Sequence, residues 1–214
     1  MSTRGAQVSV ASHFQGQIQS QRRLNTQIVL RICRAADIAS VIRYFETEKP
    51  EHFEAVGIDL RLLPSITEVR EDLEALCAEL DRVSAFSEFL KCATRVPLVF
   101  SLGERLIGHL VLRQELDHLT GLDAWFAHSH IWLKEDRACG VGTAIVPLMI
   151  EFIEKYLPIQ RLILEMSAEN IAMIRVLEKE MSARDRPFIR VPDYFRPAHG
   201  ITRAMQVARF EIGF

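Results

Sequence analysis

The order of apolar runs in the chain predicts an α/β fold, with a mixed central sheet flanked by helices on both faces. In the second half of the sequence, strand-like runs alternate with amphipathic helices, as they do where helical crossovers join strands. Before them, two adjacent apolar runs predict a β-hairpin, which adds antiparallel strands. The 214 residues, of which 49% are hydrophobic, can bury the core of one domain without a second.

Residues 1–26 differ in composition from the rest of the chain. They are rich in Ser and Gln and contain arginines, but the first acidic residue of the chain is Asp37. A segment of this composition buries too little apolar surface to fold alone. We therefore expect a mobile tail at 1–26 and a single domain at 27–214. An organelle transit peptide is similarly arginine-rich and acid-poor, so that alternative stays open.

The front of the domain predicts a strand at 27–33, followed by two amphipathic helices. The second helix begins at Ser65-x-x-Glu68, a plausible capping box, and its outer face is acidic, as solvated helix surfaces commonly are. The buried stripes are formed by Ile38, Val41, Ile42 and Phe45 in the first helix and by Val69, Leu73, Leu76, Cys77 and Leu80 in the second.

Six further strands are predicted downstream. A hairpin turns at Gly103-Glu104-Arg105, between strands at 96–102 and 106–113. A strand at 123–133 follows, and strands at 161–166, about 186–191 and 202–212 complete the mixed sheet. The last of these, 202–212, is a candidate for pairing across a homodimer.

The strand at 123–133 leads into Arg137-x-x-Gly140-x-Gly142, a turn that opens a helix. Glycine has no Cβ, so successive backbone N–H groups can approach an anion closely. The first amides of a helix also have no intrahelical acceptor, and the helix dipole adds partial positive charge. The turn is therefore a candidate cradle for a pyrophosphate, to which Arg137 can add a fork. The helix has one apolar face, made of Val141, Ala144, Ile145, Leu148, Met149, Phe152, Ile153 and Tyr156.

A short Gly-x-Gly motif also fits a tight turn without a ligand, or a dinucleotide site in which Glu165 binds ribose. The dinucleotide interpretation lacks the third glycine of its motif. It also leaves unexplained a second segment, in which a strand at 161–166 leads to Asn170 and a helix at 171–179.

Together, the strand, the Arg-x-x-Gly-x-Gly turn, the long helix, the second strand and the Asn170 helix resemble the GNAT (Gcn5-related N-acetyltransferase) family. The resemblance covers nearly all of 27–214 and is closest to the RimJ/RimL-type ribosomal-protein N-terminal acetyltransferases. It extends to the runs Val29-Leu30-Arg31, Ala36-Asp37-Ile38, Tyr44-Phe45-Glu46, Glu51-His52-Phe53, Pro97-Leu98-Val99-Phe100, Leu106-Ile107-Gly108-His109-Leu110 and Ala127-His128-Ser129-His130-Ile131-Trp132-Leu133.

The resemblance implies an acetyl-CoA-dependent N-acetyltransferase that needs no metal and acts on a primary amine, either a protein N-terminus or a small molecule. The pantetheine arm would lie between two splayed parallel strands, and one backbone amide would polarise the thioester carbonyl. The acceptor side would be built by 47–95 and 186–200. The cofactor-binding residues carried over are Ile131, Trp132, Leu133, Arg137, Ala138, Cys139, Gly140, Val141, Gly142, Thr143 and Asn170. For Asn170, a simple N-cap role is the alternative.

This chain departs from the family pattern at both catalytic positions. Many relatives carry a glutamate base on the strand before the turn, and His128 stands there instead. A neutral imidazole can accept the proton of an amine, so His128 is the leading base candidate. The tyrosine acid of many relatives is replaced by Leu177, which leaves water or Tyr194 to protonate the thiolate. Alternatively, His128 and His130 are ordinary packed histidines, or form a metal pair if His109 supplies a third ligand.

These departures also permit a GNAT-like protein that binds coenzyme A, or acts as a scaffold, without turnover. Other classes of partner are less favoured by composition. A formal net charge of −2 gives no general attraction to nucleic acid. No apolar run reaches membrane-spanning length. Cys33, Cys77, Cys92 and Cys139 form no Cys-x-x-Cys pair, which favours reduced thiols in the cytoplasm.

Overall fold

A computed structural model describes residues 14–17, 27–56, 64–82, 89–90, 92–132, 136–137, 140–183, 187–196 and 205–214. The strands are β1 (Phe14–Gln17), β2 (Gln27–Ile32), β3 (Arg95–Leu102), β4 (Arg105–Asp117), β5 (Leu122–Ile131), β6 (Arg161–Ser167), β7 (Phe188–Arg196) and β8 (Met205–Gly213). The longer helices are α1 (Ala35–Thr47), α2 (Pro50–Val56), α3 (Ile66–Arg82), α4 (Val141–Tyr156) and α5 (Ile171–Ala183).

In the described part of the chain, the strands form one mixed sheet in the order β1-β2-β3-β4-β5-β6-β8-β7. Neighbouring strands are antiparallel except β5 and β6, which are parallel and are joined through α4. The predicted α/β class with a mixed sheet is confirmed. The predicted strand boundaries move by a few residues, most at β7, which continues to Arg196.

Helices cover both faces of the sheet. Alternate side chains of a strand point to opposite faces, and β3 shows the division. Leu98 and Phe100 pack in the cluster that includes the apolar faces of α4 and α5, whereas Val99 packs in the cluster formed by α1 and α3. The first face therefore holds the main core, and the second face carries the helices that precede the hairpin.

The capping box predicted at the start of α3 is confirmed. The backbone N–H of Ser65 donates to Glu68 Oε2 at 2.6 Å, and the backbone N–H of Glu68 donates to Ser65 Oγ at 3.2 Å. The reciprocal bonds satisfy two donors that a helix start leaves without intrahelical acceptors. They fix where α3 begins.

Two features of the sheet differ from the sequence predictions. Phe14–Gln17, within the segment expected to be a tail, pair antiparallel with β2 as an edge strand; the rest of 1–26 lies outside the described residues. The predicted pairing of 202–212 across a dimer is wrong for β8, because β6 and β7 occupy its two edges. A homodimer through another surface stays a prediction.

A buried ion cluster joins the β4–β5 turn to β8. The guanidinium of Arg209 is fully buried and donates to both carboxylate oxygens of Asp117, at 2.8 and 2.7 Å. It also donates to Glu165 and Glu211, and Arg161 adds a further bond to Asp117. Removing one partner from such a cluster destabilises the fold strongly, because the remaining charges stay buried without compensation.

We expect Asp117→Asn to lower the free energy of unfolding at pH 7 by about 3 kcal/mol. Burial alone would raise the pKa of Asp117, but hydrogen bonds from Arg209 and Thr120 hold it below its usual value. A lowered carboxyl pKa stabilises the fold above about pH 4, and that stabilisation is lost as pH falls toward the folded-state pKa. Urea denaturation at pH 7 and pH 3 measures both effects.

The matched control is Asp123→Asn, at an exposed carboxylate on β5. This variant is expected to unfold within about 0.5 kcal/mol of the wild type. A wild-type unfolding midpoint for Asp117→Asn at pH 7 would show that the cluster adds nothing to stability.

In the described part of the chain, no helix is both long enough and apolar enough to cross a membrane.

Candidate active site between the splayed strands

The parallel strands β5 and β6 separate partway along their length. They pair at Trp125 with Leu162 and at Phe126 with Ile163, and the register between them extends no further. From His128 to Ile131, β5 keeps only its β4 partner. The result is an opening at the carboxyl ends of two parallel strands, a place where α/β sheets commonly bind ligands.

The backbone of β5 presents polar groups to this opening. The N–H of Trp132 donates to the carbonyl of Ile107 on the β4 side, at 2.9 Å. Because backbone groups alternate in direction along a strand, the N–H of Ile131 points the other way, toward β6. Ile131 is thus placed to donate to a ligand that lies between the strands.

The starts of α4 and α5 lie together beside the opening. Gly140 precedes α4 with a φ of 82°, a left-handed conformation that favours glycine. A Cβ added to Gly142 would lie 3.6 Å from the terminal methyl carbon of Met173, in the first turn of α5. Gly140 and Thr143 are exposed, while Val141 is buried in the core. Two helix N-termini, with their spare amides and positive dipole ends, therefore converge where the sequence predicts an anion.

Asn170 acts as the N-cap of α5. Its Oδ1 accepts a hydrogen bond from the backbone N–H of Met173 at 3.3 Å, and its carbonyl accepts from Ile174. Asn170 therefore has at least the simple N-cap role.

The side chain of Arg137 is hydrogen-bonded to other groups of the protein. Its Nε donates to the carbonyl of Ile131 at 2.9 Å, and its Nη2 donates to the carbonyl of Trp132 at 2.5 Å and to the carboxylate of Glu48. These three acceptors belong to the protein, so Nε and Nη2 are directed inward in this conformation; the fork from Arg137 to a pyrophosphate stays a prediction. The backbone of Arg137 still begins the turn.

The turn is also held from β4. The fully buried carboxylate of Asp136 receives two bonds from the guanidinium of Arg105, at 2.7 and 2.8 Å. Paired bonds of this kind fix orientation as well as distance. The strand end and the turn are therefore anchored before any ligand binds.

The histidines of this region lie in two environments. His128 and His130 share one face of β5, as predicted. The side chain of His128 is 43% exposed, and its Nε2 lies 3.5 Å from Glu115 Oε1. His130 instead packs against α1, where its Nδ1 is hydrogen-bonded to the hydroxyl of Tyr44 at 3.1 Å. Of these two histidines, His128 is the one that combines an accessible ring with a carboxylate neighbour.

Behind His130, the ring of His109 stacks at a centroid distance of 4.8 Å. The indole N–H of Trp132 donates to His109 Nδ1 at 2.8 Å, so the proton of the neutral imidazole must be on Nε2. Burial lowers the pKa of His109 to about 3 and lowers the pKa of His130 well below its usual value. Both rings are therefore neutral at physiological pH and form an aromatic wall with Tyr44.

At Gly108, β4 lies too close to β5 for any residue with a Cβ. A Cβ on Gly108 would lie only 2.3 Å from the carbonyl oxygen of His130. The close approach of β4 to β5 therefore depends on the missing side chain, which sets the position of the strand that carries both histidines.

The alternative metal interpretation gains no support. His109 and His130 are neighbours, but among the described residues no group of three His, Cys, Asp or Glu side chains is arranged to hold a metal ion.

The two positions considered for a general acid, Leu177 and Tyr194, lie in the core and on a strand that does not adjoin β5 in the sheet. Leu177 is fully buried in the core and cannot present a proton donor. Tyr194 lies on β7, where it pairs with Val207 of β8. In the sheet, β8 and β6 separate β7 from β5. Leu133, Ala138 and Cys139 lie outside the described residues.

Sequence reasoning missed the roles of Tyr44 and Glu48. Both lie near the end of α1, in or beside runs that carry the family resemblance, but no local pattern connects them to β5. The signal is spatial, because α1 packs on the sheet face that carries His130 and Trp132.

No family model and no curated protein matches the sequence. The fold is similar to that of GNAT acetyltransferases of known structure. An acetyltransferase of the GNAT family from Streptococcus pneumoniae is 14% identical, with a TM-score of 0.58, over 87% of this chain and 99% of that one.

Two more structures have similar folds. RimL, a ribosomal L7/L12 α-N-protein acetyltransferase in complex with coenzyme A, is 11% identical with a TM-score of 0.60, over 88% of this chain and 95% of that one. The spermidine N-acetyltransferase from Vibrio cholerae, in complex with CoA and spermine, is 13% identical with a TM-score of 0.59, over 87% of this chain and 95% of that one. At these identities, the likeness establishes the GNAT fold for this chain.

The dinucleotide-site alternative is contradicted by the topology. A dinucleotide-binding sheet is mostly parallel, whereas β5 and β6 are the one parallel pair among the described strands. Glu165, the ribose ligand of that interpretation, accepts a hydrogen bond from the buried Arg209 at 3.0 Å.

Proposed function

We propose that the protein is an N-acetyltransferase that moves the acetyl group of acetyl-CoA to a primary amine. The observation that carries this proposal is the opening between β5 and β6, which has the amide of Ile131 on one wall and two helix N-termini at its end. The first of these can polarise a thioester carbonyl, and the second can bind a pyrophosphate.

In this proposal, the pantetheine arm runs along β5 and bonds to its backbone. The pyrophosphate is held by amides rather than by side chains, which suits the exposed glycine at the start of α4. Asn170 bonds to the arm, or to a water beside it, through the part of its amide that capping leaves available. The donor site is formed by Ile131, Trp132, Leu133, the backbone of Arg137, Ala138, Cys139, Gly140, Val141, Gly142, Thr143 and Asn170.

His128 is proposed as the general base. The amine must lose a proton to attack the thioester carbon, and the Nε2 of a neutral imidazole can take it directly or through water. The neighbouring Glu115 carboxylate would stabilise the imidazolium that forms. As the tetrahedral intermediate collapses, the carbon–sulfur bond breaks and the thiolate takes a proton from water or from Tyr194.

The acceptor is proposed to approach over the face that carries α1 and α2, where Tyr44, Phe53 and His130 lie. RimL acts on a protein α-amino group, and the Vibrio enzyme acts on spermidine. Both acceptors are primary amines, which is the class we propose here. A cytoplasmic location is proposed with it, in line with the free thiols of Cys33, Cys77 and Cys92.

The test is an acetyl-transfer assay that follows release of the free CoA thiol with a panel of amines. The panel contains peptides with free and blocked N-termini, spermidine and amino acids. Amine-dependent thiol release, with the acetylated product identified by mass spectrometry, is expected. CoA binding without transfer to any amine would instead favour the CoA-binding or scaffold alternative.

A further inference from the structure

We propose that Arg137 is a positioning residue. Its guanidinium fixes the carboxyl end of β5 and ties that end to the junction of α1 and α2, instead of forming a fork to the phosphate. This inference rests on the proposed function, since it concerns how the strand that holds the thioester is kept in place.

The first support is the set of bonds from one guanidinium. Nε and Nη2 donate to two successive carbonyls, those of Ile131 and Trp132, at 2.9 and 2.5 Å. Holding two adjacent carbonyls fixes the peptide planes that follow Ile131. The direction of the Ile131 N–H, which would polarise the thioester, depends on that backbone.

The second support is the carboxylate of Glu48, which also accepts from Nη2. Glu48 is the residue after α1, and its backbone N–H donates to the carbonyl of Tyr44 at 3.0 Å. Burial alone would raise the pKa of Glu48, but the bond from Arg137 contributes to a net lowering. The pair is therefore ionised at neutral pH, and the positive charge of Arg137 is already balanced.

The third support is the position of the pair. The side chains of Arg137 and Glu48 are only 24% and 18% exposed. Before Glu48, α1 presents Tyr44 to His130, and after it α2 contacts β6. The ion pair thus joins the wall on the proposed acceptor side to the strand on the donor side. Turning Arg137 toward a phosphate would break this junction.

The test compares two acetyl donors: acetyl-CoA, which has the pyrophosphate, and acetyl-pantetheine, which lacks it. We expect Arg137→Gln to lower kcat/KM about tenfold with both donors, because the damage is to the strand. Glu48→Gln should lower both as well, and the double variant should be no worse than Arg137→Gln alone. Arg43→Gln, at an exposed arginine on α1, is the control.

A loss confined to acetyl-CoA, with full activity on acetyl-pantetheine, would overturn the inference, since it would place the guanidinium on the pyrophosphate. A wild type that transfers from neither donor would contradict the proposed function instead. In that case, calorimetric titration of the wild type and Arg137→Gln with CoA and with pantetheine still tests the role of Arg137, through the affinity that the variant loses for each ligand. An equal fold-loss for both ligands supports the positioning role, and a loss for CoA alone refutes it.

Discussion

Gly142→Asp is expected to lower the affinity for coenzyme A by about 100-fold or more while leaving the fold intact. The substitution puts a carboxylate at the start of α4, where the proposed pyrophosphate lies. Two like charges about 4 Å apart repel by several kcal/mol near a protein surface, and each 1.4 kcal/mol is tenfold in affinity. Calorimetric titration with coenzyme A measures the loss.

The fold should tolerate this change for two reasons. The neighbour of the added Cβ is the flexible end of Met173, at an ordinary contact distance of 3.6 Å. The helix dipole also stabilises an acidic side chain in the first turn of a helix. Gly142→Ala, which adds the Cβ without the charge, is the matched control and should cost far less affinity. Wild-type affinity in Gly142→Asp would show that the phosphate is not bound at this turn.

His128→Ala is expected to lower kcat by about 100-fold or more, the usual contribution of a positioned general base. Its affinity for acetyl-CoA should stay close to that of the wild type, because His128 lies before the part of β5 proposed to bind the arm. Steady-state kinetics with a saturating amine, together with a titration of acetyl-CoA, separate the two effects. His118→Ala, at an exposed histidine in the β4–β5 turn, is the control.

Full activity in His128→Ala would exclude His128 as the base, and His130 would become the candidate base. The pH profile distinguishes the two residues. Because burial lowers the pKa of His130 well below 6.5, a rate that depended on it would stay high into acidic solution. Activity that falls near the ordinary histidine pKa would not fit that buried ring.

Local signals in the sequence predicted most of the fold. The apolar runs of β3 and β4, the turn at Gly103 and the capping box at Ser65 each involve residues that are neighbours in the sequence, so they can be recognised from the order of amino acids. The glycine turn that opens α4 was predictable for the same reason, since Gly140 and Gly142 lie close together at the start of one helix; its role in binding phosphate stays a prediction.

Contacts between distant residues account for what the sequence did not predict. The Glu48–Arg137 pair joins residues 89 positions apart, and the Tyr44–His130 pair joins residues 86 apart. Asp117 and Arg209 are 92 apart. No periodic pattern relates such partners, because they meet only after the sheet has ordered. The interior position of β8 is likewise set by pairing with both neighbours.

The central claim is that the opening between β5 and β6 is an acetyl-CoA site, and isothermal titration tests it most directly. The purified protein is titrated with acetyl-CoA and, separately, with NAD. Saturable binding of acetyl-CoA without binding of NAD is the predicted result. If acetyl-CoA does not bind, the chain has the GNAT fold without its donor site, and the proposed function is contradicted.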